Sequence, residues 1–434
     1  MPKTTTPAAD SDPYPDAIAD CVLTAFDQLP EKRKPRERGD GLREWVPLAG
    51  IVVSQGDRLA CVSLGTGMKC LPSNKLPMAK GTILHDWHAE VVAIRAFNRY
   101  LLDQCLQLST PPYTPSDFLR QRSADEYTDS EYQPFTIKDN VRIHMYCSEA
   151  PCGDASMELV MSTQEDATPW TTAPATVTSP SASTSTSKPP PPTPTTEAAL
   201  RGRTNFSLLG LVRCKPSRPD APPTLSKSCT DKLALAQATS LLTSTTTLFL
   251  SPSNAYLTTL ILPTSQHIPS ACSRAFSRSG RLGALSDAKI QGWKGGYKFR
   301  PFEVMSTTRE FRCCRRAVLR GEKAVPSNLS AVWTPTWQET LIGGVLQGRK
   351  QGDVRGASRI CRKRMWGFAM RIAGVVGAVV GGRRVLGKRT YGEVRTDEVF
   401  DARTRVKEDM KSGGLQGWVG NRGDEEFSLD EVRE

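Results

Sequence analysis

Two short stretches hold residues that could bind and use a metal. "HAE" places His88 two residues before Glu90, and "PCGDAS" places Cys152 directly after Pro151. Imidazole and thiolate are ready zinc donors, and a catalytic zinc needs about three protein ligands plus a water in the fourth position. A carboxylate beside such a water can accept a proton and return it within one cycle, the role open to Glu90. Proline suits the first position of a helix, where its missing N–H would have no partner anyway. A helix starting there would aim its positive end at Cys152 and favour the thiolate.

The third ligand is less obvious. Zinc-dependent nucleobase deaminases combine H-x-E with P-C-x-x-C, yet Ala155 stands where the second cysteine of that pattern belongs. Cys147, Cys214 and Cys229 are the candidates. Cys147 lies on the strand before Pro151 and is expected to point elsewhere. Cys214 sits in an apolar strand, the ordinary setting of a structural thiol. Cys229, in "SKSCTDK", stands in a polar loop just before an apolar helix and so mirrors Cys152. That symmetry favours Cys229. H-x-E and P-C-G each occur by chance in structural settings. Their order, each at a strand-to-helix junction, makes the combination more specific than either.

These residues need elements to hold them. "DWHAEVVAIRAFNRYLLDQCL" is expected to be a helix with Asp86 as N-cap and Val91, Ile94, Ala96 or Phe97, and Leu101 on one face. "VRIHMYCSEA" alternates like a buried strand running into Pro151. "WVPLAGIVVSQGDRLACVSLGTG" reads as two strands about a turn at Gly56–Asp57. "DAIADCVLTAFDQL", "SCTDKLALAQATSLLTS" and the basic "RICRKRMWGFAMRIAG" read as helices, and "NLSAVWTPTWQETLIGGVLQGRK" as strands with turns. Residues 1–13 are expected to be a disordered leader. Residues 162–199, with "TSPSASTSTSKPPPPTPTT", have a composition that cannot bury a core, and are expected to be a flexible insertion. The insertion falls between Cys152 and Cys229, so it interrupts one domain, residues 14–432, rather than separating two.

Lysines and arginines outnumber acids by twelve. Such an excess suits a polyanionic partner, although a basic soluble surface would look the same. The twelve cysteines lack the spacing of a disulfide scaffold, the N-terminus has no secretory apolar core, and no stretch reaches the about 20 apolar residues of a membrane span. The expected compartment is reducing, nucleus or cytoplasm. "GTG" at Gly65–Gly67 is not a dinucleotide fingerprint, and the adjacent Cys313 and Cys314 lack the partner ligands of a zinc knuckle.

"HAE", "PCGDAS" and "SCTDK", in this order, resemble the adenosine deaminases acting on RNA and their tRNA-specific relatives. "CVSLGTGMKC", "LSAVWTPTWQETLIGGVLQGRK" and "RGASRICRKRMW" extend the resemblance, above all to the fungal tRNA-specific branch. It covers roughly residues 14–430 outside the insertion. No double-stranded-RNA-binding module precedes it, which favours the tRNA branch. The resemblance implies an α/β fold, a cytidine-deaminase-like α/β/α sandwich enlarged by C-terminal helices and strands. It implies zinc on His88, Cys152 and Cys229, with Glu90 as proton shuttle. The implied reaction is hydrolytic deamination of adenosine to inosine in tRNA, at the adenosine immediately 3′ of the anticodon of alanine tRNA. The enzyme would thus be a hydrolase acting on a cyclic amidine C–N bond. A buried inositol hexakisphosphate is implied as well, on Arg95, Lys232, Arg362, Tyr391, Arg395 and Trp418. Lys69 is implied to contact RNA. No obligate protein partner and no membrane are implied. The chain departs from the family's mRNA editors at His85, Leu235, Gly420 and Asn421, all near the implied inositol phosphate. The competing readings are a free-nucleoside or cytidine deaminase, a deaminase of other structured RNA, and a non-catalytic RNA-binding relative.

Overall fold

Runs of Val, Ile and Leu on either side of Gly56–Asp57 form the expected hairpin, β1 (Leu48–Gln55) and β2 (Arg58–Thr66). The computed structural model describes residues 13–37, 41–163, 176–178, 198–202, 205–215, 221–318, 323–376 and 382–429. Six more strands extend the hairpin: β3 (Val141–Cys147), β4 (Leu257–Pro263), β5 (Glu303–Thr307), β6 (Leu329–Thr334), β7 (Trp337–Ile342) and β8 (Val345–Leu346). Their order across the sheet is β5-β4-β3-β1-β2-β6-β7-β8. The β3–β4 and β4–β5 pairs are parallel and the others antiparallel, which gives a mixed sheet.

Helices cover both faces. On one, α1 (Pro13–Asp27) packs Ile18, Val22 and Phe26 on Leu48, Val52, Leu64 and Tyr146. On the other lies α2 (Ala89–Ser109), whose Val92, Ala96, Phe97 and Leu101 share a core with Ala49, Ile51, Ile143 and Met145. Behind α2 come α3 (Met157–Met161), α4 (Cys229–Thr239), α5 (Arg362–Val376), α6 (Tyr391–Arg395) and α7 (Asp401–Ser412). The result is the expected α/β/α sandwich with C-terminal elements added. Each fully buried Val, Leu or Ile contributes roughly 1.5–3 kcal/mol, so these two layers fix the sheet firmly beneath the start of α2. Gly65 makes the approach possible: a Cβ there would meet Val92 Cγ1 at 2.5 Å and the Ala93 nitrogen at 2.8 Å.

Four local expectations change. The N-cap of α2 is His88, not Asp86, which lies outside the helix and is engaged by other groups. Val91 and Ile94 are only half-buried, while Val92, Ala93, Ala96, Tyr100 and Leu101 are buried, because α2 is covered by α5 as well as by the sheet. Every residue of β3 except Arg142 is buried, as befits a central strand covered on both faces, so it does not alternate. Pro151 does not open a helix; a 3₁₀ turn begins at Asp154 and leads into α3.

Thr176–Thr178 pairs antiparallel with Ala198–Arg201, which pairs in turn with Arg213–Cys214. Most of the 162–199 insertion, and the leader apart from Pro13, lie outside the described residues. Among the described residues no helix is long and apolar enough to cross a membrane.

Candidate metal centre and the basic cavity behind it

The start of α2 carries His88 and Glu90 to the floor of the site, and two loops from either side of the insertion close on it. The Cys229 N–H donates to the Cys152 sulfur at 3.4 Å. Thr230 then ties the loops together: its N–H donates to the Cys152 carbonyl at 3.1 Å and its hydroxyl to the Pro151 carbonyl at 2.8 Å. Gly153 lets them meet. Its φ is +111°, and a Cβ would fall 2.3 Å from Ser228 Oγ. The same conformation explains why no helix begins at Pro151. Ser228 caps α4, its Oγ accepting from the Asp231 N–H.

The electrostatics of the group are strongly biased. Contact with the Cys229 thiol, helped by Lys215 and His88, overcomes burial and holds Cys152 well below the ordinary thiol range. Burial and the Cys152 charge push Cys229 the other way. Burial, with the Cys152 thiolate, raises the carboxyl of Glu90 against the pull of Lys215 and His88. A raised carboxyl in contact with water suits an acid–base shuttle.

Asp86 orients the histidine. Its Oδ1 accepts from the His88 N–H at 3.0 Å and lies 2.9 Å from Nδ1, which leaves Nε2 as the free donor atom. Its Oδ2 takes Lys215 at 2.8 Å, Ser226 Oγ at 2.6 Å and Lys232. Burial opposes the charge on Asp86, but Lys215, Lys232 and His88 outweigh it and hold the carboxyl well below its usual range. Lys215 also reaches Cys229 Sγ at 3.2 Å, so one ammonium joins the carboxylate to the sulfur. Cys70, Asp86 and His88 form a second possible ligand group, with donor atoms within 4.8 Å of one another. Asp86 is already saturated by two lysines and His88 Nδ1 is committed to it, so His88, Cys152 and Cys229 are the better donor set. Cys147 and Cys214 are buried strand thiols, both pushed up by burial.

Behind this group lies a cavity of about 210 Å³ lined by Arg95, Arg362, Tyr391 and Arg395, four of the six residues expected at an anion. Arg403 and Lys407, which sequence reasoning missed, line it too. Burial, together with Arg403, Arg395 and Lys411, drives the Lys407 amine well below its normal range. Crowded cations of this kind call for an anion. Lys232 and Trp418 do not line the cavity. Lys232 is held by Asp86, and Trp418 stands under the Lys227 ammonium at 5.5 Å. Lys69 donates to Asn328 Oδ1, and its carbonyl accepts from the Trp87 N–H at 3.0 Å, beside the His88 loop.

The model of the adenosine-deaminase (editase) domain matches residues 63–422, which include every residue of the metal group and the cavity. The chain belongs to this family. Deaminase relatives match it over stretches from a quarter of its length to nearly all of it. It is 35% identical over 415 residues to tRNA-specific adenosine deaminase 1 of Schizosaccharomyces pombe, covering 94% of this chain and 95% of that one. The enzyme of the same name from Saccharomyces cerevisiae is 32% identical over 232 residues, 52% of each chain. Double-stranded RNA-specific editase Adar of Drosophila melanogaster is 36% identical over 112 residues, 25% of this chain and 15% of that one. Among editase-family deaminases the present chain thus aligns nearly end to end with a tRNA-specific relative.

Lys215 left no mark in the sequence reading. It follows Cys214 at the end of a two-residue strand, 14 positions before Cys229, and only the pairing of that strand brings it inward. Asp86 reads from the sequence only as the N-cap of α2, although an acid two residues before the histidine of H-x-E can reach Nδ1.

Proposed function

We propose that this chain converts adenosine to inosine in tRNA, at the adenosine immediately 3′ of the anticodon of an alanine tRNA. The observation that carries the reading is the meeting of the Cys152 and Cys229 loops over the His88–Glu90 turn. The near-full-length similarity to a tRNA-specific deaminase supports the choice of RNA.

His88, Cys152 and Cys229 fit zinc: one imidazole with its second nitrogen held by a carboxylate, one thiol held as thiolate by its neighbours, and a second thiol whose proton a metal would displace on binding. Zinc held there would supply a water that ionises near neutral pH. Glu90 would accept one proton of that water and give it to N1 of adenine as oxygen bonds to C6; it would then carry the remaining proton of the C6 hydroxyl to the amine, which leaves as ammonia as the C6–N bond breaks and the C6 carbonyl forms. Lys215 holds Asp86 ionised and draws Cys229 toward thiolate against burial and the Cys152 charge. Lys69 contributes to RNA contact beside the mouth of the site.

The basic cavity suits inositol hexakisphosphate, whose phosphates would neutralise Arg95, Arg362, Arg395, Arg403 and Lys407. Phosphorus analysis of the denatured protein tests that assignment. The main test is incubation with anticodon-arm RNA, followed by sequencing for A-to-G conversion, with free adenosine as control. Conversion at the position 3′ of the anticodon is expected; conversion of free adenosine alone would contradict the assignment.

A further inference from the structure

A single carboxylate near the C-terminus touches both the metal loop and the cavity. Asp424 is enclosed, with 1% of its side chain exposed. Its Oδ1 accepts from the Gly81 N–H at 2.8 Å. Its Oδ2 lies 2.7 Å from His85 Nε2 and 3.4 Å from Arg362 Nη1. An ionised carboxylate can only accept, so the His85 proton sits on Nε2. Among the described residues, the buried His85 Nδ1 has no hydrogen-bond partner, and Asp424 is the polar anchor of that ring.

The segment around Asp424 is itself well seated. Phe427 stacks on Tyr391 at 4.9 Å and 18°, and its carbonyl accepts from the Tyr391 N–H at 3.0 Å. Gly81 lies flat on the Phe427 ring, where a Cβ would come within 2.3 Å. Asp424 therefore holds the start and the middle of the loop that ends at His88, and the same oxygen that takes His85 also takes an arginine of the cavity.

We propose that Asp424 is a positioning residue for the metal centre. By fixing Gly81 and His85 it sets the path of the loop that presents Asp86 and His88, and through Arg362 it joins that loop to the basic cavity. Leu71 and Lys69 hold the far side of the loop by backbone bonds to His85 and Trp87. Loss of Asp424 would leave His85 with a buried, unpaired N–H and free the near side. The proposal rests on the reading of His88 as a metal ligand.

The test uses the full-length zinc-loaded protein and the variants Asp424→Ala, His85→Asn and the double variant. Zinc release to a colorimetric chelator is followed well below each melting midpoint, which is measured in parallel. Outer partners of metal ligands are typically worth 10–100-fold in metal affinity, so release about tenfold faster is expected for each single variant. The double variant should release zinc no faster than Asp424→Ala, since both changes break the same contact. Release at the unmodified rate with only a lower melting midpoint would overturn the proposal, as would effects that multiply. If Asp424→Ala does not fold, His85→Asn alone decides. Unmodified protein that binds no zinc would instead overturn the metal reading, and this proposal with it.

Discussion

Cys152 and Cys229 are 77 positions apart, yet the N–H of one donates to the sulfur of the other at 3.4 Å. The contact depends on Gly153, whose missing Cβ leaves room for Ser228 Oγ and whose φ of +111° few other residues adopt. Gly153→Ala should separate the two loops and add about 1–3 kcal/mol of backbone strain. Zinc content by elemental analysis should fall, together with the thermal midpoint. Full zinc content in the variant would show that the two loops need not meet.

Glu90 has a different kind of role. It is buried at the start of α2, beside the thiolate but outside the donor set. Glu90→Ala should keep zinc and lose turnover by at least about 10²–10⁴-fold. Substantial residual deamination by a zinc-replete variant would remove Glu90 from the mechanism.

His144 predicts a pH effect away from the site. It is buried in β3 against Thr259, Ser54 and Tyr14, and burial, aided by Arg142, lowers its pKa to about 4. The unfolded chain, with histidine near 6.5, binds the extra proton between those values. Stability should therefore be full above pH ~6.5 and decline as pH falls toward 4, at about 1.4 kcal/mol per pKa unit. His85, lowered to about 4 by burial and Arg362, adds in the same direction. Urea denaturation at several pH values should show a shallower slope in His144→Gln; an unchanged slope would assign the dependence to other groups.

Much of this arrangement could be read in the chain. The residues of the metal group announce themselves because chemistry restricts their types: His88 and Glu90 at one spacing, and cysteines in the short motifs "PCG" and "SCTDK". Strands β1 and β2 and helices α1, α2 and α4 follow from their apolar patterns, and β3 is legible as a strand although it is buried on both faces rather than alternating. What could not be read depends on distance in space rather than along the chain. Lys215 and Lys232 meet Asp86 only once the strand at Arg213–Cys214 and helix α4 have packed. Asp424 reaches His85 across 339 positions. Arg403 and Lys407 point at the cavity from α7, a polar helix whose pattern does not distinguish a solvated lysine from one facing an anion. Pro151 misled for a local reason: the glycine two residues later takes a conformation incompatible with a helix starting at proline.

The central claim is that one metal centre is assembled from both sides of the insertion, on His88, Cys152 and Cys229. Zinc per chain, measured by elemental analysis in four single cysteine-to-alanine variants, tests it most directly. Cys152→Ala and Cys229→Ala should lose the metal, while Cys147→Ala and Cys214→Ala should retain about one zinc per chain, the single site that three ligands and a water define. Retention in Cys229→Ala, or loss confined to Cys147→Ala or Cys214→Ala, would contradict it.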